Sequence, residues 1–175
     1  MKELMLWRHA KSSWTSREQE DRQRPLNRRG RRAAAAVAAW LATRKLRPDH
    51  ILCSPARRTR ETADVLRNTL ADLPMIELDP ALYLAEGEEL LQRIRRAPAA
   101  AGRLMVIGHN EGIWDLARVL AQKGQPADLA SLQAKYPTGA LAWLRLPITQ
   151  WSELGQLDGE LLHFVRPRDI LAETD

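Results

Sequence analysis

One cysteine, one phenylalanine and two tyrosines are all that this 175-residue chain holds of those types. With Cys53 alone, no internal disulfide can form and no zinc site can rest on paired cysteines. The usage fits a reducing compartment. No apolar run approaches the ~20 residues of a membrane span, and Met1–Trp7 meets charge too soon for a secretory signal. A soluble, cytoplasmic protein without a membrane partner is expected. Glycine-rich phosphate loops are missing as well: neither G-x-x-x-x-G-K-[ST] nor G-x-G-x-x-G occurs.

What is present is an ordinary globular balance, 45% hydrophobic and 28% charged, at a length that suits one domain. No repeat, low-complexity tract or linker divides it, so residues 1–175 are read as a single domain. The 27 Lys and Arg exceed the 22 Asp and Glu, a net charge of +5. The arginines are interleaved with acids, as in Ser16-Arg17-Glu18-Gln19-Glu20-Asp21-Arg22, and are densest at Arg28, Arg29, Arg31 and Arg32. Without an RNA- or DNA-binding signature, nucleic acid is disfavoured as a partner. A solvated arginine-rich surface or an affinity for anionic substrates remains.

Along the chain, Leu4–Trp7 reads as a buried strand and residues 10–27 as a polar loop. Asn27 is placed to cap a helix from about Arg28 to Arg44. His50–Cys53 is a second strand, after which Ser54-Pro55 reads as N-cap and first helical position of a helix to about Leu70. Strands over 75–78 and 104–107 flank a helix over 88–95. A helix from just after Asn110 to about Gln122 follows, then a loop with a helical turn over 124–137. Strands over 140–146 and 161–165 complete the pattern, separated by a turn-rich segment at 154–159. Strands alternating with helices predict a three-layer α/β/α sandwich around a mostly parallel sheet.

Three segments place charged or histidine side chains just after strands, where open α/β sheets bind ligands. Arg8-His9 follows the first strand, Arg58 opens the helix after the second, and His109 follows the fourth. Were those strands neighbours, two arginines and two histidines would converge into an anion pocket holding a candidate nucleophile, and helix N-termini near Ser54 and Asn110 would add N–H donors. Singly, each residue has a bland reading: a structural histidine, or a solvated Arg58 paired with Glu61. The ordered set is more specific.

That set resembles the histidine phosphatase superfamily, with its phosphoglycerate-mutase-like fold. Arg8-His9-Ala10 stands for the family's R-H-G, Ser54-Pro55-Ala56-Arg57-Arg58-Thr59-Arg60-Glu61-Thr62 for its second motif, and Gly108-His109-Asn110 for its G-H-N. Arg8-His9-Ala10-Lys11-Ser12-Ser13-Trp14, Arg24-Pro25-Leu26-Asn27-Arg28-Arg29-Gly30 and Phe164-Val165-Arg166-Pro167 are similar to the short SixA-like branch, the phosphohistidine phosphatases. The resemblance implies that His9 attacks phosphorus and is transiently phosphorylated. Arg8 and Arg58 would grip the equatorial oxygens, with His109 as an imidazolium donor beside a phosphoryl dianion. Asn110 would also bind substrate, and Ser12, or equally Ser13, would add a hydroxyl. With so many fixed cations no metal and no cofactor are expected.

Two departures matter. Ala10 stands where the family commonly has glycine, and alanine occupies the place expected of a general acid, in Asp79-Pro80-Ala81-Leu82-Tyr83-Leu84-Ala85-Glu86. Glu86 either reaches the pocket as a substrate-binding residue or caps the following helix. Trp14 either grips a partner or staples its loop. The expected partner is a protein carrying phosphohistidine; alternatives are small phosphate monoesters or nucleotides, or a non-catalytic phosphate-binding module.

Overall fold

The two strongest apolar runs become adjacent central strands. In the computed structural model, which describes residues 1–14, 20–155 and 159–174, β1 (Lys2–Arg8) pairs in parallel with β4 (Arg103–Gly108). Leu4–Trp7 and Leu104–Ile107 are wholly buried, as expected of strands covered on both faces. Alternation then assigns side chains to two cores. Leu4, Leu6, Leu104 and Val106 join Leu90 and Ile94 of α3 (Gly87–Arg95), Leu116 and Leu120 of α4 (Gly112–Leu120) and Leu132 of α5 (Pro126–Ala134). Met5, Trp7, Met105 and Ile107 face Val37 and Leu41 of α1 (Arg28–Thr43), Leu66 of α2 (Arg57–Thr69) and Ile170 of α6 (Pro167–Thr174). The result is the α/β/α sandwich.

The remaining strands are β2 (His50–Cys53), β3 (Ile76–Leu78), β5 (Ala121–Gly124), β6 (Leu141–Leu146) and β7 (Gly159–Val165). Their order is β3-β2-β4-β1-β6-β7-β5, and only β6 runs against the others. β2, β4 and β1 are therefore neighbours. Register aligns Arg8 with Gly108 and Cys53 with Ile107, so the residues after these strands emerge at one end of the sheet.

Four expectations need correction. α2 begins at Arg57 with Ala56 at its N-cap position, not at Ser54-Pro55. Ser54 stays in the sheet, its N–H bonded to the Ile107 carbonyl at 3.0 Å, and Thr59 Oγ1 donates to its carbonyl at 2.7 Å. α4 ends at Leu120 because the chain turns at once into β5, a strand of four residues. Residues 126–134 form a full helix, opened by Pro126. Finally, α6 follows β7, with Pro167 at its first position. Of the segments read as loop or turn, residues 15–19 and 156–158 lie outside the described residues.

The loop after β1 is pinned to α1. Asn27 Oδ1 caps the helix by accepting from Gly30 N–H at 2.8 Å, and Asn27 N–H donates to the Lys11 carbonyl at 2.9 Å. Gly30 lies so close that an added Cβ would sit 2.0 Å from that carbonyl oxygen. Gly30→Ala should cost about 1–3 kcal/mol through forced displacement. Urea denaturation measures this, and an unchanged midpoint would show that the loop does not rest on the helix as described.

Candidate active site

Beyond the carboxyl ends of β1, β2 and β4 lies a cleft of about 900 Å³ lined by His9, Asp21, Arg24, Arg58, His109 and Asn110, and on its far side by residues of α3 and α4. His9 and His109 are 6% and 4% exposed, and their ring centroids are 5.5 Å apart. His9 Nδ1 lies 2.7 Å from the Ala10 carbonyl. A carbonyl only accepts, so the proton is on Nδ1 and the lone pair is on Nε2. Ala10 N–H donates to Thr62 Oγ1 at 3.2 Å, and Ala10 is not among the positive-φ residues, so alanine replaces the family glycine without backbone strain.

Arg58 is 2% exposed, whereas its neighbour Arg57 is exposed and bonds Glu61 at 2.9 Å. Successive helical residues point about 100° apart, so one of the two faces the cleft. Arg58 Nη1 donates to the Asp21 carbonyl at 2.7 Å, while Nη2 donates to Asp21 Oδ2 at 3.0 Å and to His109 Nδ1 at 3.3 Å. Since His109 Nδ1 accepts, its proton is on Nε2, which donates to Ser54 Oγ at 2.7 Å. Tyr83 stands edge-on to His109 at 5.5 Å and donates its hydroxyl to Asp21 Oδ2. Burial would raise the Asp21 pKa, but the bonds from Tyr83 and Arg58 and the charge of Arg24 outweigh it and keep the carboxylate ionised.

Arg8 stands beside the cleft rather than in its lining: it is half-buried, and its Nη1 donates to the Tyr136 carbonyl at 2.7 Å. Ser12 sits in a β-bridge with Leu26 and is likewise outside the lining. Glu86 takes the capping role, and its place in the cleft lining leaves the substrate-binding role as a proposal. It is the N-cap residue of α3, its N–H held by Glu89 at 2.7 Å, and it is also an exposed residue of the cleft rim. Trp14 is no buried staple: 63% of it is exposed, and the Arg24 guanidinium lies 4.1 Å from its ring centroid.

The loop carrying His109 is strained. Glu111 has φ 64° and ψ −67°, and Gly112 N–H bonds back to the Asn110 carbonyl at 3.0 Å, the closed γ-turn that side chains seldom adopt. Asn110 Oδ1 is buried there without a partner. An added Cβ on Gly112 would meet the Ala85 carbonyl oxygen at 1.9 Å, which locks this loop against the entry to α3.

Sequence reasoning missed Asp21 and Tyr83, and it read Ser54 as a helix cap. Asp21 lies in a charge-mixed run and meets Arg58 across 37 positions, a pairing that no spacing announces. Among the described residues no group of three or more His, Cys, Asp or Glu side chains is placed to hold a metal ion, and no helix is long and apolar enough to cross a membrane.

The sequence signature of the histidine phosphatase superfamily (branch 1) matches residues 4–83. An uncharacterised protein of Mycobacterium tuberculosis is 34% identical over 163 residues, 92% of this chain and 99% of that one. The chain belongs to the histidine phosphatase superfamily. Two solved structures, each described as a candidate phosphohistidine phosphatase SixA, place this superfamily member's fold with the SixA-like ones. That from Agrobacterium tumefaciens is 28% identical with a TM-score of 0.78, covering 95% of this chain and 98% of its own. That from Nakamurella multipartitia is 28% identical with a TM-score of 0.80, covering 95% and 96%. A histidine phosphatase is a hydrolase whose substrates carry a phosphoryl group, which fits the cationic end of the cleft.

Burial, aided by His109, Arg58 and Arg8, outweighs the Ala10 bond and pushes the His9 pKa from 6.5 to about 3. Burial and the adjacent Arg58 push His109 equally low, so it becomes an imidazolium only with an anion beside it. Between pH 6.5 and 3 the unfolded chain binds protons here that the folded chain refuses. Stability therefore rises with pH through that window and falls on acidification. A His9→Gln, His109→Gln variant should lose less Tm than the parent between pH 6.5 and 3; parallel curves would contradict it.

Proposed function

We propose that this phosphatase removes phosphoryl groups from phosphohistidine on proteins, without a metal, by way of a phosphohistidine formed at His9. The observation that carries the reading is the fixed tautomer of His9. Its Nδ1 proton is held by the Ala10 carbonyl, which leaves a buried Nε2 lone pair in the cleft that needs no general base at neutral pH. Nε2 attacks the phosphorus of a phosphohistidine whose ring is protonated on its other nitrogen. The P–N bond breaks and its electron pair returns to the departing nitrogen, so the substrate ring leaves as neutral imidazole. The His9 ring, keeping its Nδ1 proton, becomes the phosphorylated imidazolium. Water then displaces His9, which leaves as neutral imidazole, and inorganic phosphate carries off the water oxygen.

Arg58, with Arg8 behind it, supplies the positive charge that the transferring oxygens demand, which removes the need for a divalent ion. His109 and Asn110 are further donors toward phosphate, and Ser12 is the hydroxyl nearest to His9 in sequence. Arg58 contributes most because, of the two guanidiniums in the cleft lining, Arg58 and Arg24, it is the fully buried one and the one that contacts His109. Arg58→Ala should lower turnover by about 10²–10³, and Arg57→Ala should leave it within about twofold, as expected of an exposed salt bridge. Steady-state rates decide. Equal, mild losses would mean the phosphoryl group binds elsewhere, as would trapping of labelled substrate on a residue other than His9.

Two features favour phosphohistidine over small phosphate monoesters and nucleotides. Expelling an alkoxide needs a positioned acid worth roughly 10²–10⁴ in rate. A phosphohistidine ring can instead pick up its proton from water on the other nitrogen, since the imidazole reference pKa is near 6.5, and then releases neutral imidazole without a positioned acid. The cleft's outer wall also combines exposed Leu84 and Val119 with Glu86, Glu88, Glu111 and Asp115. That wall disfavours substrates with a second anionic group. Phosphohistidine on a carrier protein should show a higher kcat/KM than sugar phosphates, in the presence of chelator, with Glu86→Gln changing the protein reaction little. Faster sugar phosphates whose turnover Glu86→Gln abolishes would make Glu86 the general acid and the chain a small-molecule phosphatase.

A further inference from the structure

A second pocket, of about 570 Å³, shares no lining residue with the cleft. Four separate segments build it: Lys11 after β1, Arg29 and Arg32 on α1, Lys135 after α5, and Arg166 and Arg168 at the start of α6. Among the described residues, six of the thirteen that line it are cationic and none is acidic. Chance does not favour that in a chain with 27 basic and 22 acidic residues. Asp169, just outside the lining, pairs with Arg166 at 2.7 Å and lies 3.7 Å from Arg168. Among the described residues Lys11, Arg29 and Lys135 have no ion-pair partner. Like charges gathered in one concavity repel each other, and a multivalent anion relieves that repulsion.

The rest of the lining narrows the ligand. Ala33, Ala134, Pro137, Pro167 and Leu171 give an apolar floor, and Ser131 and Thr138 add hydroxyl donors. The volume lies within the usual range for small-molecule sites, roughly 300–1,000 Å³. An inorganic ion would leave the floor unused, and the concave shape suits a compact body better than an extended chain. The pocket also shares a wall with the catalytic loop. Gly139 N–H donates to the His9 carbonyl at 2.9 Å, and a Cβ at Gly139 would lie 3.0 Å from Pro167 and 3.7 Å from Ala33.

We propose that this pocket is a binding site, separate from the phosphatase centre, for a small organic polyphosphate of the nucleoside di- or triphosphate class. The phosphates meet the arginine and lysine rim and the apolar body rests on the alanine and proline floor.

The test is calorimetric titration of ATP, AMP, pyrophosphate and polyglutamate at fixed ionic strength. It uses the full chain carrying Arg58→Ala, which disables phosphate capture in the cleft. ATP should bind this protein more tightly than AMP or pyrophosphate. Adding Arg29→Glu and Lys135→Glu, both at exposed positions, should weaken ATP about a hundredfold, at roughly tenfold for each lost charge-assisted contact. Arg29→Gln with Lys135→Gln provides the same test should the reversals unfold the chain, as judged by thermal melting. The proposal is overturned if ATP binds wild type but not Arg58→Ala, for then the cleft is its site. It also fails if the rim substitutions change nothing, if pyrophosphate matches ATP, if polyglutamate outcompetes both, or if nothing binds at millimolar concentration.

Discussion

A guanidinium buried as deeply as Arg58 has lost its water and must be held by something anionic. Asp21 meets that demand through its carbonyl and its carboxylate, and much of the site is arranged around this ion pair. Tyr83 fixes the carboxylate from above, and the same Nη2 bonds His109. That last bond sets the tautomer of His109 and so the direction of its bond to Ser54. Remove the buried charge and four side chains lose their reason for being where they are. Phosphate placed beside Arg58 has the charge that Asp21 offers, so pocket and ligand obey one electrostatic requirement.

The same burial makes the histidines useful. An exposed imidazole near pH 6.5 would be partly protonated and spend part of its time unable to attack. In the cleft, desolvation and the nearby guanidiniums of Arg58 and Arg8 make protonation costly, and His9 stays a free base. The cost is lower stability in acid. The γ-turn at Glu111 is a further local cost, and close packing of Gly112 on Ala85 holds it.

How much of this was legible beforehand depended on whether the information was local. The central strands were legible because apolar runs bounded by charge have few alternatives in a chain of this size. Asn27 was legible as a cap because its partner is three residues away. Arg8, His9, Arg58 and His109 were legible as a set because each lies at or just after a strand end, although only the β2-β4-β1 order brings His9, Arg58 and His109 into one cleft, with Arg8 beside it. Asp21, Tyr83 and Ser54 act across long separations, and their neighbourhoods mark nothing about the partner. Ser54-Pro55 misled because capping chemistry and a sheet-bound serine share one sequence signal. β5 was hidden because four residues with two exposed side chains carry no alternation worth reading.

Charge in this molecule is partitioned rather than spread. One end of the cleft is cationic, its outer wall is acidic and apolar, and among the described residues the second pocket has no carboxylate in its lining. Within a Debye length of roughly 8–10 Å, a phosphorylated group in the cleft meets Arg58 and Arg24 at the end where His9 lies and the carboxylates of Glu86, Glu88 and Glu111 across from it. The wall thus orients a substrate before any specific contact forms. A net charge of +5 alone would have suggested indiscriminate anion binding. Its placement turns that charge into a directional field, which is what a phosphatase with an open cleft needs in order to choose among phosphorylated molecules.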